Sequence, residues 1–144
     1  MDRREAIITY LIETDSRWKT KRVSVDQLLG GKRRSLNIEV KRSRWFVQGR
    51  EKKLLEGAFD VDLEASPVTN TLPIRRTRMK VGSKVDLTVG WVRFPSLRVV
   101  PFKQGYERLS KSRFVYRSST GFRAEIEVDG FGLVRRYGDY WRAV

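Results

Sequence analysis

The chain has 144 residues, 40% of them hydrophobic, with 4 Trp, 5 Tyr and 7 Phe and a formal net charge of +14 from 31 Lys and Arg against 17 Asp and Glu. That length suits one domain, residues 1–144, with a real core, and the apolar content excludes a disordered basic tail. Cysteine and histidine are both absent, which excludes disulfides, thiolate or imidazole metal sites and Ser–His or Cys–His catalysis within the chain, and no cofactor is indicated.

The opening stretch, MDRREAIITYLIETD, has a short apolar run broken by Thr9 and Tyr10 and lacks a small-residue cleavage site. No stretch approaches the roughly 20 apolar residues that span a bilayer. A cytoplasmic location without a transmembrane segment is the expectation. AIITYLIET and RWKTKRVSV read as two strands separated by Asp15-Ser16. SVDQLLGG reads as one short helical turn, capped by Ser24 or Asp26 and stopped at Gly30. RSLNIEVK alternates through Leu36, Ile38 and Val40, and Trp45 and Phe46 fall in a hairpin that leaves exposure open to them, with core packing the first expectation for each Trp. FDVDLE follows, with Asp60, Asp62 and Glu64 on one face and Phe59, Val61 and Leu63 on the other.

KVDLTVGWVR places Val85, Leu87, Val89 and Trp91 on one parity, and Pro95 and Pro101 then flank SLRVV, which marks an edge or a bend. RFVYRS, GFRAEIEV and GLVRRY complete the series, separated by Ser119-Thr120-Gly121 and Asp129-Gly130. The pattern predicts an all-β domain of about nine to eleven strands with little helix. The sheet is mostly antiparallel and curved, closing into a roll or a partly open barrel that hides its edges.

The charge is uneven. Residues 1–55 carry 15 basic and 7 acidic side chains, residues 56–71 none and 4, and residues 72–144 16 and 6. The acidic island continues through Thr69, Asn70 and Thr71 to the pair Arg75 and Arg76. Three carboxylates on one strand face need compensation. Read as extended chain, Arg75 and Arg76 point to opposite faces, so one at most meets them. Three uses are open. An Asp–Arg network would brace the loop, with Thr69, Asn70 and Thr71 satisfying buried backbone. A ligand site would hold a polyol, a sugar head group or a phosphate. A carboxylate-based hydrolase would need a second carboxylate from another element, or a divalent metal on oxygen ligands.

The same segment, GAFDVDLEASPVTNTLPIRR, resembles the putative glycolipid-binding family, whose pattern is a D-V-D-L run, Thr-Pro-Phe and T-N-T-L-P-I-R-R. Here stand Asp60-Val61-Asp62-Leu63, Ser66-Pro67-Val68 and an intact Thr69–Arg76. DSRWKTKRV (15–23) is similar to D-x-x-W-x-T-R-x-V. KQGYERL (103–109) matches Q-x-Y-x-R-L through Gln104, Tyr106, Arg108 and Leu109. The C-terminal VDGFGLVRRYGDYWRAV is similar to V-D-x-x-G-L-V-x-x-Y-P-x-x-W, with Gly138 at the Pro. The resemblance implies a spiral β-roll round a partly open interior, and a non-enzymatic binder of a lipid, a glycolipid or a similar amphipathic ligand. The ligand-binding set taken from these segments is Asp60, Asp62, Thr69, Asn70, Thr71, Arg75, Arg76, Gln104, Tyr106 and Trp18. No residue is assigned to catalysis or to metal. Family members begin a few tens of residues earlier, so an open sheet edge and a homodimer are expected.

The rival reading is nucleic-acid binding. RWKTKR, KRSRWFVQGREKK and RRYGDYWR interleave Arg and Lys with aromatic rings, as single-strand binders do. In the first of these the parity turns Trp18 inward, away from Arg17, Lys19 and Lys21. No recognition helix, zinc finger or RNA-recognition pattern accompanies the charge.

Overall fold

The computed structural model describes residues 5–144. Its strands form two sheets. The first is an antiparallel meander in sequence order: β1 (Ala6–Thr14), β2 (Thr20–Leu29), β3 (Lys32–Lys41), β4 (Arg44–Val47) and β5 (Arg50–Glu51). Gly30 and Gly31, at φ of 56° and 78°, make the tight β2–β3 turn in a left-handed conformation that costs glycine least. The outer edge of β1 pairs with no other described strand, and it exposes Ile7 and Leu11.

The second sheet runs β12-β11-β10-β9-β8-β7-β6 and curls into a half-barrel. Its strands are β6 (Asp60–Leu63), β7 (Lys84–Val92), β8 (Val99–Arg108), β9 (Arg113–Ser118), β10 (Arg123–Val128), β11 (Val134–Tyr137) and β12 (Trp141–Arg142). All neighbours are antiparallel except β6 and β7. A parallel pair needs a crossover. It is supplied by a 3-10 turn, Pro67–Asn70, and the helix α1, Thr71–Thr77.

Alternation divides the apolar residues between two cores. One lies between the sheets, where Val23, Val25, Leu36, Ile38 and Trp45 of the first meet Val61, Leu63 and Val92 of the second. The other fills part of the half-barrel hollow, where Ile74 of α1 and Met79 pack on Tyr106, Phe114, Ile126 and Val128. Strand β6 feeds both. Val61 and Leu63 enter the inter-sheet core, and Asp60 and Asp62 turn to the hollow. The sheets approach closely at Gly90, where a Cβ would lie 2.5 Å from the Trp45 ring.

Three local expectations change, and for Trp45 the choice between core and exposed hairpin falls to the core. Residues 24–29 belong to β2, because Val23, Val25 and Gln27 are buried at every second position, and strand pairing on both sides outweighs a local cap signal. Trp45 is fully buried, its Nε1 donating to the Ala58 carbonyl at 2.9 Å. Thr71–Thr77 is a helix, not extended chain. Pro73 is tolerated because first-turn N–H groups have no intrahelical acceptor. Among the described residues the strand count rises to twelve, because β5 and β12 have only two residues each. Pro101 behaves as expected: β8 pairs with β9 only from Gln104 onward, so Pro101 lies where β8 has one neighbour.

Candidate functional site

The helix decides how the acidic island is compensated. Consecutive helical residues diverge by about 100°, so Arg75 and Arg76 leave α1 in different directions. Arg76 reaches Asp60, with Nε donating to Oδ1 at 3.0 Å and Nη2 to Oδ2 at 2.7 Å. Asp60 is fully buried, and burial pushes its carboxyl up despite the guanidinium beside it. Arg75 goes elsewhere. It donates to the Phe131 carbonyl and lies between two rings, 4.6 Å from Trp18 and 4.2 Å from Phe131.

Trp18 is therefore not a plain core residue. It sits at φ 68° in the β1–β2 turn, which the Asp15 carboxylate holds by accepting from the Arg17 and Lys19 amides. Its ring closes a clamp between the first sheet, α1 and the β10–β11 loop.

The Thr-Asn-Thr triplet is largely spent on architecture. Thr69 Oγ1 accepts from the Leu63 amide at 3.2 Å and donates to Asp62 Oδ1 at 3.0 Å. Asn70 Nδ2 donates to the Tyr106 hydroxyl at 2.7 Å, and Thr71 Oγ1 donates to the Gly132 carbonyl at 2.8 Å. Gln104 Nε2 donates to the second oxygen of Asp62. At the end of β6, Glu64 accepts from Arg93 Nε at 2.7 Å.

Of the ten residues expected to bind a ligand, Asp62 and Asn70 line an open cavity beside the island. Asp60, Thr71, Arg75, Arg76 and Trp18 are bound up with one another, with Phe131 or with backbone. Thr69, Gln104 and Tyr106 support Asp62 and Asn70 from behind.

The cavity is a cleft of about 560 Å³ at the end of the hollow that α1 leaves free. Trp91 and Phe102 form one wall, stacked at 4.2 Å. Tyr116, Phe122, Tyr137 and Tyr140 form the other, with Phe122 and Tyr137 nearly parallel at 6.2 Å and Phe122 and Tyr140 5.5 Å apart. Trp141 completes the rim. Burial pushes the Asp62 carboxyl up, more than the Gln104 and Thr69 bonds pull it down, and the Glu64 and Asp60 charges add to the rise. Burial and the Asp62 charge raise the hydroxyls of Tyr106, Tyr116 and Tyr137, so these phenols stay protonated at neutral pH.

Most of this cleft was invisible to motif reading, because its rings come from seven strands and turns. Two partial signals exist. Tyr116 and Phe122 face the hollow by strand parity. RRYGDYWR, read as a nucleic-acid stretch, sends Tyr137, Tyr140 and Trp141 to the cleft and leaves Arg135, Arg136 and Arg142 exposed. The carboxylates that line the cleft, Asp62 and Glu64, come from one segment. No group of three or more metal-ligating side chains occurs among the described residues. No helix among them is long and apolar enough to cross a membrane.

No curated protein matches the sequence. The fold is similar to the crystal structure of a DUF1089-family protein from Pseudomonas aeruginosa. The TM-score is 0.93 and the identity 26%, over 98% of this chain and 79% of that one. The segments around Asp62, Gln104 and Tyr137 that build the cleft fall within a sequence profile matched along residues 1–143, and the chain belongs to the putative glycolipid-binding family.

Proposed function

We propose that the protein is a non-catalytic binder and that the aromatic cleft takes the polar head of a glycolipid or similar amphipathic ligand. The observation that carries the reading is the pairing of facing aromatic walls with a carboxylate and an amide on the floor. Flat rings suit stacking against a sugar face, and Asp62 and Asn70 offer fixed hydrogen-bonding groups. A volume near 560 Å³ lies within the usual range for small-molecule sites. The family description points the same way.

Isothermal titration with short-chain alkyl glycosides below their micelle concentration tests this. Saturable binding is expected, weakened by Trp141→Ala at the rim. Absence of saturable binding by any alkyl glycoside would count against the reading.

A second reading draws support from the exposed basic exterior, which favours adsorption to nucleic acid. It predicts oligonucleotide binding that salt reverses, and no binding at low salt would remove it.

A further inference from the structure

We infer that the cleft selects a ligand whose head group carries a positive charge, an ammonium, and that it disfavours anionic heads. This deepens the cleft reading and rests on it.

The first ground is the ion-pair pattern of the island. Asp60 has Arg76 and Glu64 has Arg93, each at 2.7 Å. Asp62 has a hydroxyl and an amide but no ion pair among the described residues. Each of its oxygens accepts one hydrogen bond and keeps a further lone pair. A half-buried carboxylate held this way, facing the cleft, is stabilised by an incoming cation.

The second ground is the lining. Among the described residues, no Lys or Arg lines the cleft, and its only charged lining residues are Asp62 and Glu64. Four other cavities each carry at least three basic side chains, such as Lys84, Lys103 and Arg117 on the outer face of β7–β9. The basic group on this wall, Arg93, is paired with Glu64 and covers one face of the Trp91 ring at 4.1 Å, so the ring faces open to a cation are those of the tyrosine wall.

The third ground is the walls. Faces of Tyr, Trp and Phe rings carry negative potential and attract ammonium groups, including methylated ones. Ring faces and carboxylate thus act with the same sign. The exterior acts with the opposite sign, since a net charge of +14 repels cations and draws anions. A preference for cations would therefore report the cleft and not the general field.

The test compares probes that share an octyl chain, at physiological salt, by calorimetry and by Trp fluorescence. Octyl glucoside is neutral, octyl sulfate is anionic, and octyltrimethylammonium and an octyl glycoside of glucosamine carry the ammonium. The last is also compared with its N-acetyl form, which removes the charge and needs no protein variant. At least one ammonium probe should bind about tenfold or more tightly than its uncharged counterpart. Preference for the trimethylammonium probe identifies a choline-like head, and preference for the amine an amino sugar. Asp62→Asn should remove that gap. Tyr140→Ala, at a position 73% exposed and so little risk to folding, should narrow it.

Equal affinity for neutral and ammonium probes, or a preference for octyl sulfate, overturns the inference while the cleft reading stands. Absence of saturable binding by every probe overturns both.

Discussion

Asp60 and Asp62 are two residues apart, point into the same hollow and are treated in opposite ways. Asp60 is locked to Arg76 where water cannot reach it. Removing one partner of such a pair leaves a bare buried charge, which costs more than the pair itself contributes. Arg76→Ala should therefore lower stability in urea unfolding by about 3–5 kcal/mol. Asp60→Asn added to that variant should restore part of the loss, because the stranded charge is gone, and a double-mutant cycle measures the coupling. Asp62 has no cation among the described residues, and its carboxyl is raised by burial. A group raised in the folded state binds its proton more tightly folded than unfolded. Its ionisation costs stability at neutral pH, and that cost is relieved as pH falls through the raised value towards the ordinary range near about 4. The stability difference between the wild type and Asp62→Asn should thus move in favour of the wild type on acidification. Urea midpoints of both proteins across that range check the sign.

At the scale of elements, the sheets are held together by close approach more than by any single bond. Gly90 of β7 lets the Trp45 ring of β4 lie directly on the strand. Gly90→Ala should cost about 1–3 kcal/mol by overpacking, read as a lower denaturation midpoint, and Trp45→Phe in that background should relieve part of the strain. The strands themselves were legible because alternation is a local signal, as in Ala124, Ile126 and Val128 of β10. Helix α1 was not. Seven residues with Pro third give no amphipathic repeat, and its conformation is set by the parallel pair it must join. That one difference changes how the island works. A strand would have sent its two arginines to opposite faces of a sheet. The helix instead gives Arg76 to Asp60 and Arg75 to the Trp18–Phe131 clamp. The cleft was legible only in fragments, since Trp91, Tyr116 and Tyr140 become neighbours through long-range pairing that no short window of sequence contains.

Over the whole molecule, charge and shape are sorted. Among the described residues, basic side chains cover the outside and line four cavities, and the aromatic cleft holds none. The two surfaces should respond differently to salt. Adsorption of an oligonucleotide to the exterior should fall steeply as salt rises. Occupancy of the cleft by octyl glucoside should change little, and the two should not compete when titrated together, with fluorescence reporting the cleft and anisotropy of a labelled oligonucleotide reporting the exterior. The position of α1 adds a consequence for traffic. Ile74 and Met79 fill the hollow from one end, packed on Phe114, Ile126 and Val128, and the cleft occupies the other. The half-barrel is a cul-de-sac rather than a tunnel. A guest of the kind proposed above would leave by the door it came in through, past Tyr140 and Trp141.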